Sequence, residues 1–280
     1  MFMKMEQEKG SLLLAAQKSK REQAAKPKGP TGFSTFMTVP SGLNTITEAL
    51  TKASAGVIYR TGVTLTEVAP VAGRYIASLS TGEQIAADAV VLALPAFVTA
   101  DLVKSHLPAV AGELDQIPYN SSVVVALGYN RADIAHPLNA SGFLVPASEP
   151  LELTASTWVS SKWAHAAPPD KALLRCFLGR SGGKDWTKES DEAILAAVRT
   201  GLEQTMGLKA QPIVTRIFRW VRAMSQYRVG HLDRMDRVDE LMQAAPGLYL
   251  AGAAFRGVGL PDCVREGTTA AERVAKHLGW

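Results

Sequence analysis

The residues best suited to chemistry lie near the end of the chain. Leu248 to Val274, LYLAGAAFRGVGLPDCVREGTTAAERV, reads as a buried strand (Leu248 to Ala251), a turn carrying Gly252, Gly257 and Gly259, and a helix from about Asp262. Glycine permits positive φ and lets main chain approach another group closely. The helix aims its free N–H groups and the positive end of its dipole back at the turn. Together they make a site for something flat and partly anionic, held against backbone. The same pattern, taken alone, also describes a tightly packed βα connection.

Other chemistries find little support. The one GxSxG, Gly179 to Gly183 (GRSGG), has no clear strand-to-helix pattern around it, so Ser–His–Asp chemistry lacks its supporting context. His106, His136, His165 and His277 are scattered without metal-ligand spacing, and His231 can satisfy local backbone. The two cysteines, Cys176 and Cys263, sit in apolar surroundings and read as small core residues, with no disulfide framework.

Two stretches together carry a resemblance. The run Phe255 to Cys263, FRGVGLPDC, and the block Arg219 to Leu232, RWVRAMSQYRVGHL, resemble the oxygen-dependent protoporphyrinogen/coproporphyrinogen III oxidases of the FAD-dependent amine oxidase superfamily. Ser225 stands where that family usually has proline. The resemblance runs through most of the chain. It implies a mixed α/β fold with interleaved FAD-binding and substrate domains, present in part. Residues 1–51 would be a substrate-domain segment, 52–98 a β-meander of the FAD domain, 99–230 the substrate-binding domain and 231–280 the C-terminal FAD-binding segment.

The resemblance also implies an activity: oxidation of coproporphyrinogen III or protoporphyrinogen IX to the porphyrin, with FAD as cofactor and oxygen as acceptor. The flavin removes hydride from the bridging carbons, so no catalytic side chain is required. Val258, Gly259 and Leu260 would line the flavin with backbone, after the bend at Gly252. Trp220 matches a tryptophan beside the cofactor, and a core tryptophan is the alternative. Leu65 matches an aliphatic position packed on adenine. The loop Gly142-Phe143-Leu144-Val145-Pro146 would lie over the tetrapyrrole. Arg175, Arg216, Arg219, Arg222 and Arg228 are candidates for its propionates, because guanidinium binds carboxylate bidentately. Nothing in the sequence chooses among them.

One family feature is missing. Members open with a βαβ unit whose GxGxxG holds the FAD pyrophosphate at a helix N-terminus. The nearest cluster here, Arg180-Ser181-Gly182-Gly183-Lys184, has the wrong spacing. The chain thus resembles the C-terminal three-fifths or so of the family. A truncated product, half of a split protein and an incomplete gene model would all look like this. A separate polypeptide supplying the missing half is one expected partner. Two other functions stay open: a generic flavin amine oxidase or desaturase, and a non-catalytic fragment that binds a tetrapyrrole or a partner.

Composition sets the outer bounds. With 280 residues, 47% of them hydrophobic and 20% charged, the chain can bury a sizeable core. No apolar run is long enough for a membrane-spanning helix, and the first residues do not read as a signal peptide. The expected location is the cytoplasm. The net charge of +4 suits an anionic ligand and allows peripheral contact with the inner face of the membrane. No zinc-finger, helix-turn-helix or RNA-binding pattern points to nucleic acid.

The elements that must position these residues follow from periodicity and caps. Residues 1–22 read as a helix and 24–35 as a loop. Ser41 to Asn44 opens a second helix with Leu43, Ile46 and Leu50 on one face. Alternation over 57–94 predicts a meander with turns at Pro70–Gly73 and Ser80–Gly82, ending in a buried strand, 89–94. Strands are expected at 123–129, 152–159, 172–178 and 212–219. Ser190 caps a helix over 191–206 that Gly207 stops, and another helix spans 232–243. The closing helix places Cys263, Gly267, Ala270, Ala271, Val274 and Leu278 on one face, suited to close packing on a sheet.

Overall fold

The computed structural model describes residues 10–11, 13–14, 17–18 and 37–280. The loop expected over 24–35 and most of the helix expected over 1–22 lie outside these. The chain divides into one unit of residues 1–57 and another of residues 58–280. In the first, α1 (Asn44–Ala53) begins where Ser41 to Asn44 predicts. The Asn44 side-chain amide donates to Glu48 Oε1 at 2.7 Å. Leu43, Ile46 and Leu50 are exposed.

The second unit holds two cores. The first gathers β1 (Leu65–Val71), β2 (Arg74–Leu79), β3 (Gln84–Ala87) and β4 (Val90–Leu92) with α2 (Ala96–Val103) and α3 (Pro108–Asp115). β1, β2 and β3 form an antiparallel meander. Its first turn is only Ala72-Gly73, both at positive φ (50° and 80°), the geometry that matches the twist of two paired strands. β4 pairs in parallel with β10 (Leu248–Leu250). α5 (His231–Leu241) closes this core with Met235 and Val238.

The second core lies under a five-stranded antiparallel sheet, in the order β6 (Gly142–Leu144), β7 (Leu153–Trp158), β8 (Lys171–Leu178), β5 (Tyr119–Asn130), β9 (Val214–Ser225). Alternation decides the faces. Val123, Val125, Leu127 and Tyr129 of β5 are buried with Leu174, Cys176 and Leu178 of β8. Against them packs α4 (Asp191–Met206) through Ile194, Val198 and Leu202. Each such side chain contributes about 1.5–3 kcal/mol on burial. The helix ends are local and fall where predicted. Ser190 Oγ accepts the Ala193 N–H at 3.3 Å, and Gly207 closes the helix at φ 66°. The fold is mixed α/β, as expected.

Three expectations need correction. β9 runs on to Ser225 rather than stopping near Arg219, because Trp220 and Met224 still pair with Ser122 and Asn120 across a bulge. Arg222 sits in that bulge at φ 46°. The segment 142–144 is an edge strand, not a loop. The last helix, α6 (Leu260–Leu278), starts two residues early, since Pro261 fits a first turn. Of its expected packing face only Ala270 is buried, and a Cβ on Gly267 would meet nothing. Among the described residues the sheet beside it has two strands, too few to cover that face.

Candidate functional site

The face of the five-stranded sheet opposite α4 is open to solvent. Register gives its composition row by row. Leu144, Ala155, Phe177, Val124 and Phe218 lie side by side across the five strands. The next row is Gly142, Thr157, Arg175, Ala126 and Arg216. On the other side Ser122 faces Trp220. Leu144, Ala155, Phe177 and Val124 of the apolar row, with Trp220, Ala223 and Met224, line a concavity of about 710 Å³. Its floor is apolar, with the hydroxyls of Ser122, Thr154 and Thr157 at its edges. Leu144 is 83% and Trp220 49% exposed, unusual for such side chains unless a ligand or partner covers them.

β9 joins this face to the glycine turn. Directly after Met224, Ser225 Oγ donates to Ala253 O at 2.9 Å. The Tyr227 hydroxyl donates to the same carbonyl at 2.9 Å and accepts the Gly257 N–H at 2.8 Å. His231 Nε2 meets Phe255 O at 2.7 Å. Because a carbonyl only accepts, this nitrogen carries the proton. Three side chains of the 219–232 block thus hold the 252–259 turn. Burial, set against the Gly257 N–H bond, holds the Tyr227 phenol above its ordinary pKa, so it stays neutral and can donate. Arg256 is pinned beneath by Asp236 and Asp239 at 2.8 and 2.7 Å.

The helix start differs from the expectation of a free positive end. Asp262 occupies it. Its Oδ2 accepts the Gly259 N–H at 3.2 Å and its Oδ1 accepts Arg265 Nη2 at 2.7 Å. These bonds, Arg265 first, hold the carboxyl below the usual aspartate range. Cys263 N–H is the first to close an intrahelical bond, onto Gly259 O at 2.9 Å, so the N–H groups of Leu260 and Asp262 have no intrahelical acceptor. Val258 and Leu260 are 62% and 59% exposed. The turn therefore presents bare main chain with donors, its dipole already partnered by a carboxylate. That suits the carbonyl edge of a flat ring better than a phosphate. A flavin ring edge fits the residues present: the Val258 to Leu260 backbone would hold it, and a Cβ on Gly259 would crowd Asp262 Oδ2 at 3.1 Å.

Of the site residues read from sequence, the structure gathers Leu144 and Trp220 in the concavity and Gly252, Val258, Gly259 and Leu260 in the turn, with Gly252 at φ 117°. Gly142 lies in the arginine row, where a Cβ would overlap Ser156 O. Phe143 points to the other face and packs edge-on to Trp158, centroids 6.4 Å apart. Leu65 opens β1 and packs on the first core. No strand pairing or hydrogen bond among the described residues links it to the turn. Phe177, Met224, Ser225, Tyr227 and Asp262 were missed. The alternation on β8 could have found Phe177, and the three-residue spacing of Gly259 and Asp262 is a helix-capping pattern. Among the described residues no His, Cys, Asp and Glu group could hold a metal, and no helix is long and apolar enough to cross a membrane. Cys176 is buried, its thiol pushed up to about 12 by burial.

The family model of flavin containing amine oxidoreductases matches residues 2–275. The chain belongs to that family. Within this flavin oxidoreductase family it resembles the coproporphyrinogen III oxidase of Bacillus subtilis (strain 168), 31% identical over 278 residues, which are 99% of this chain and 59% of the relative. The coproporphyrinogen III oxidase of Propionibacterium freudenreichii subsp. freudenreichii is 35% identical over 90% of the chain and 47% of the relative. A crystal structure from Exiguobacterium sp. 255-15, provisionally named a protoporphyrinogen oxidase, superposes with a TM-score of 0.83 at 33% identity, covering 100% of this chain and 58% of that one. The chain thus spans about half to three-fifths of the length of its relatives.

Proposed function

We propose that this chain supplies the substrate face and the ring-edge turn of an FAD-dependent porphyrinogen oxidase. It would take coproporphyrinogen III or protoporphyrinogen IX to the porphyrin with oxygen as acceptor, in haem biosynthesis. One observation carries this reading. An open apolar face large enough for a flat macrocycle is joined, through Ser225, Tyr227 and His231, to a turn that presents bare backbone. When bound, FAD supplies the hydride acceptor and the route to oxygen. The chain's own residues bind and orient. Leu144, Phe177 and Trp220 offer a ring-sized apolar floor, and the bonds from Ser225, Tyr227 and His231 tie the glycine turn to the end of β9. The names of the B. subtilis and P. freudenreichii relatives favour coproporphyrinogen III.

The pyrophosphate cradle would come from a GxGxxG-bearing half, in a longer chain or in a separate polypeptide. We place the work in the cytoplasm, where the charge of +4 allows contact with the inner membrane face. The test has two stages. The chain is soaked in FAD, desalted and scanned in the near-ultraviolet and blue, alone and with a GxGxxG half supplied in trans. Each sample is then given both porphyrinogens, an amine and a carotene. Porphyrinogen oxidation above the no-enzyme rate supports the proposal. Flavin-loaded protein that leaves both porphyrinogens unoxidised sinks it, and turnover of the amine or carotene selects the wider oxidase reading. Because the concavity is complete within residues 122–224, a second reading is a tetrapyrrole-binding fragment without turnover. It would show porphyrin binding with no oxidation in any sample.

A further inference from the structure

We propose that Arg175 and Arg216 are the carboxylate-binding pair of the open face, holding the acidic side chains of a flat macrocycle whose ring lies on the neighbouring apolar row. The inference rests on the porphyrinogen reading above and names the residues that recognise the ligand's charge. Five arginines qualify by sequence, and the structure separates them. Arg219 is register partner of the buried Val123 and is spent on the other side of the sheet, on Asp191 Oδ1 at 2.6 Å and Glu189 O at 2.8 Å. Arg222 lies over the Phe97 ring at 3.7 Å. Arg228 lines a different hollow, with Gln116, Pro118 and Arg234.

Arg175 and Arg216 remain, and both stand on the open face, flanking Ala126 in one row. Two strand spacings separate their backbones by about 10 Å. Neither has a carboxylate within ion-pair distance among the described residues. Arg175 lies against the Phe177 ring at 5.3 Å, and Arg216 Nη1 reaches only its own neighbour's carbonyl, Thr215 O, at 2.8 Å. The two rows that form the floor and its border contain no Asp or Glu. Small residues fill the rest of the arginine row, Gly142, Thr157 and Ala126, so nothing stands between the guanidiniums and a ligand on the apolar row. Two like charges on one sheet face repel, and guanidinium is the side chain best shaped for bidentate carboxylate. An apolar platform with two unneutralised guanidiniums along one border matches a flat apolar ring with carboxylates on its rim.

The experiment measures binding of coproporphyrin III, which carries four carboxylates, to the purified full chain by quenching of tryptophan fluorescence. The neutral tetramethyl ester in dilute non-ionic detergent is the companion ligand. Arg175→Gln and Arg216→Gln should each weaken coproporphyrin III about three- to tenfold, as expected for partly exposed charged pairs, and the double variant more. The ester should bind all variants alike. Arg199→Gln, on the exposed side of α4, removes the same charge and should change nothing. Circular dichroism confirms that each variant is folded. If wild type binds coproporphyrin III and the arginine variants bind it equally well, the assignment is overturned while the porphyrinogen reading stands. If wild type binds neither ligand, the porphyrinogen reading falls and the assignment with it.

Discussion

His231 lies flat against Tyr227, ring centroids 3.8 Å apart and planes 12° from parallel, and each ring ends on the glycine turn. The pair converts a stretch of 227–231 into a support for 253–257. Tyr227 serves two backbone groups through one oxygen, and His231, buried, serves Phe255 O.

Removing one hydroxyl tests that support. Tyr227→Phe keeps the stack and leaves Ser225 on Ala253 O, but strips the Gly257 N–H of its acceptor. The expected loss is about 1–2 kcal/mol, or roughly 2–8 °C in Tm for a unit of this size. His231→Phe should cost about 1–3 kcal/mol, because the carbonyl it abandons is buried. Thermal unfolding of both variants checks the order. Equal Tm values for wild type and His231→Phe would mean the turn holds itself.

A second relationship fixes the roof under the open face. Gly201 of α4 lies so close to β7 that a Cβ there would stand 2.6 Å from Leu153 Cβ. Gly201→Ala should therefore destabilise by about 1–3 kcal/mol through overpacking, despite the better helix propensity of alanine. Gly207→Ala fails for another reason, its φ of 66°, and should cost about 1 kcal/mol or more. Denaturant titration separates them from Gly112→Ala, where a Cβ meets nothing and helix propensity should give a small gain.

How much of this was legible in the sequence depends on the range of the interaction. The ends of α4 were, because Ser190 and Gly207 act within one turn of themselves. The β5 and β8 strands were, because alternation is local. The clamp was not: nothing near Tyr227 announces a bond to residue 253. The same holds for the arginines, since choosing Arg175 and Arg216 needs the register of β8 and β9 on β5. Phe143 and Leu144 differ by one position, and only the strand's period, invisible while 142–144 reads as a loop, sends one to the core and the other to the concavity. Asp262 was in plain view as a capping residue, but the glycines around it drew the interpretation toward a free helix start.

Gly257 and Gly259 of the turn should behave differently. At Gly257 a Cβ would overlap the Asp262 side chain, so Gly257→Ala should displace the cap and cost about 2–4 kcal/mol. Gly259 has an ordinary φ of −77° and only the Asp262 Oδ2 contact at 3.1 Å. Gly259→Ala should therefore leave Tm within about 2–4 °C of wild type. Its effect should appear in ligand binding instead, because a side chain there stands where the flat ring meets main chain. Paired Tm and flavin-retention measurements on the chain with its GxGxxG half supplied decide it. Full retention by a folded Gly259→Val variant would remove this turn from the cofactor site.

Acid should loosen the same cap. Asp262 is held ionised by Arg265 and the Gly259 N–H, so its folded pKa lies below the unfolded one. A group of that kind stabilises fully above the unfolded value, about 3.9, and its contribution is lost as pH falls through the folded value. The window is therefore about pH 4 and below. Glu113, Asp170, Asp185 and Glu192 are depressed as well, so the wild-type curve alone does not isolate one group. The difference between wild type and Asp262→Asn does. The variant keeps an acceptor for the Gly259 N–H but has no charge to lose. It should melt below wild type at neutral pH, and the gap should close as the pH is lowered through that window. A gap that stays constant down to pH 3 would mean that the Asp262 charge does not hold the start of α6, and that packing of Pro261 and the turn alone sets it.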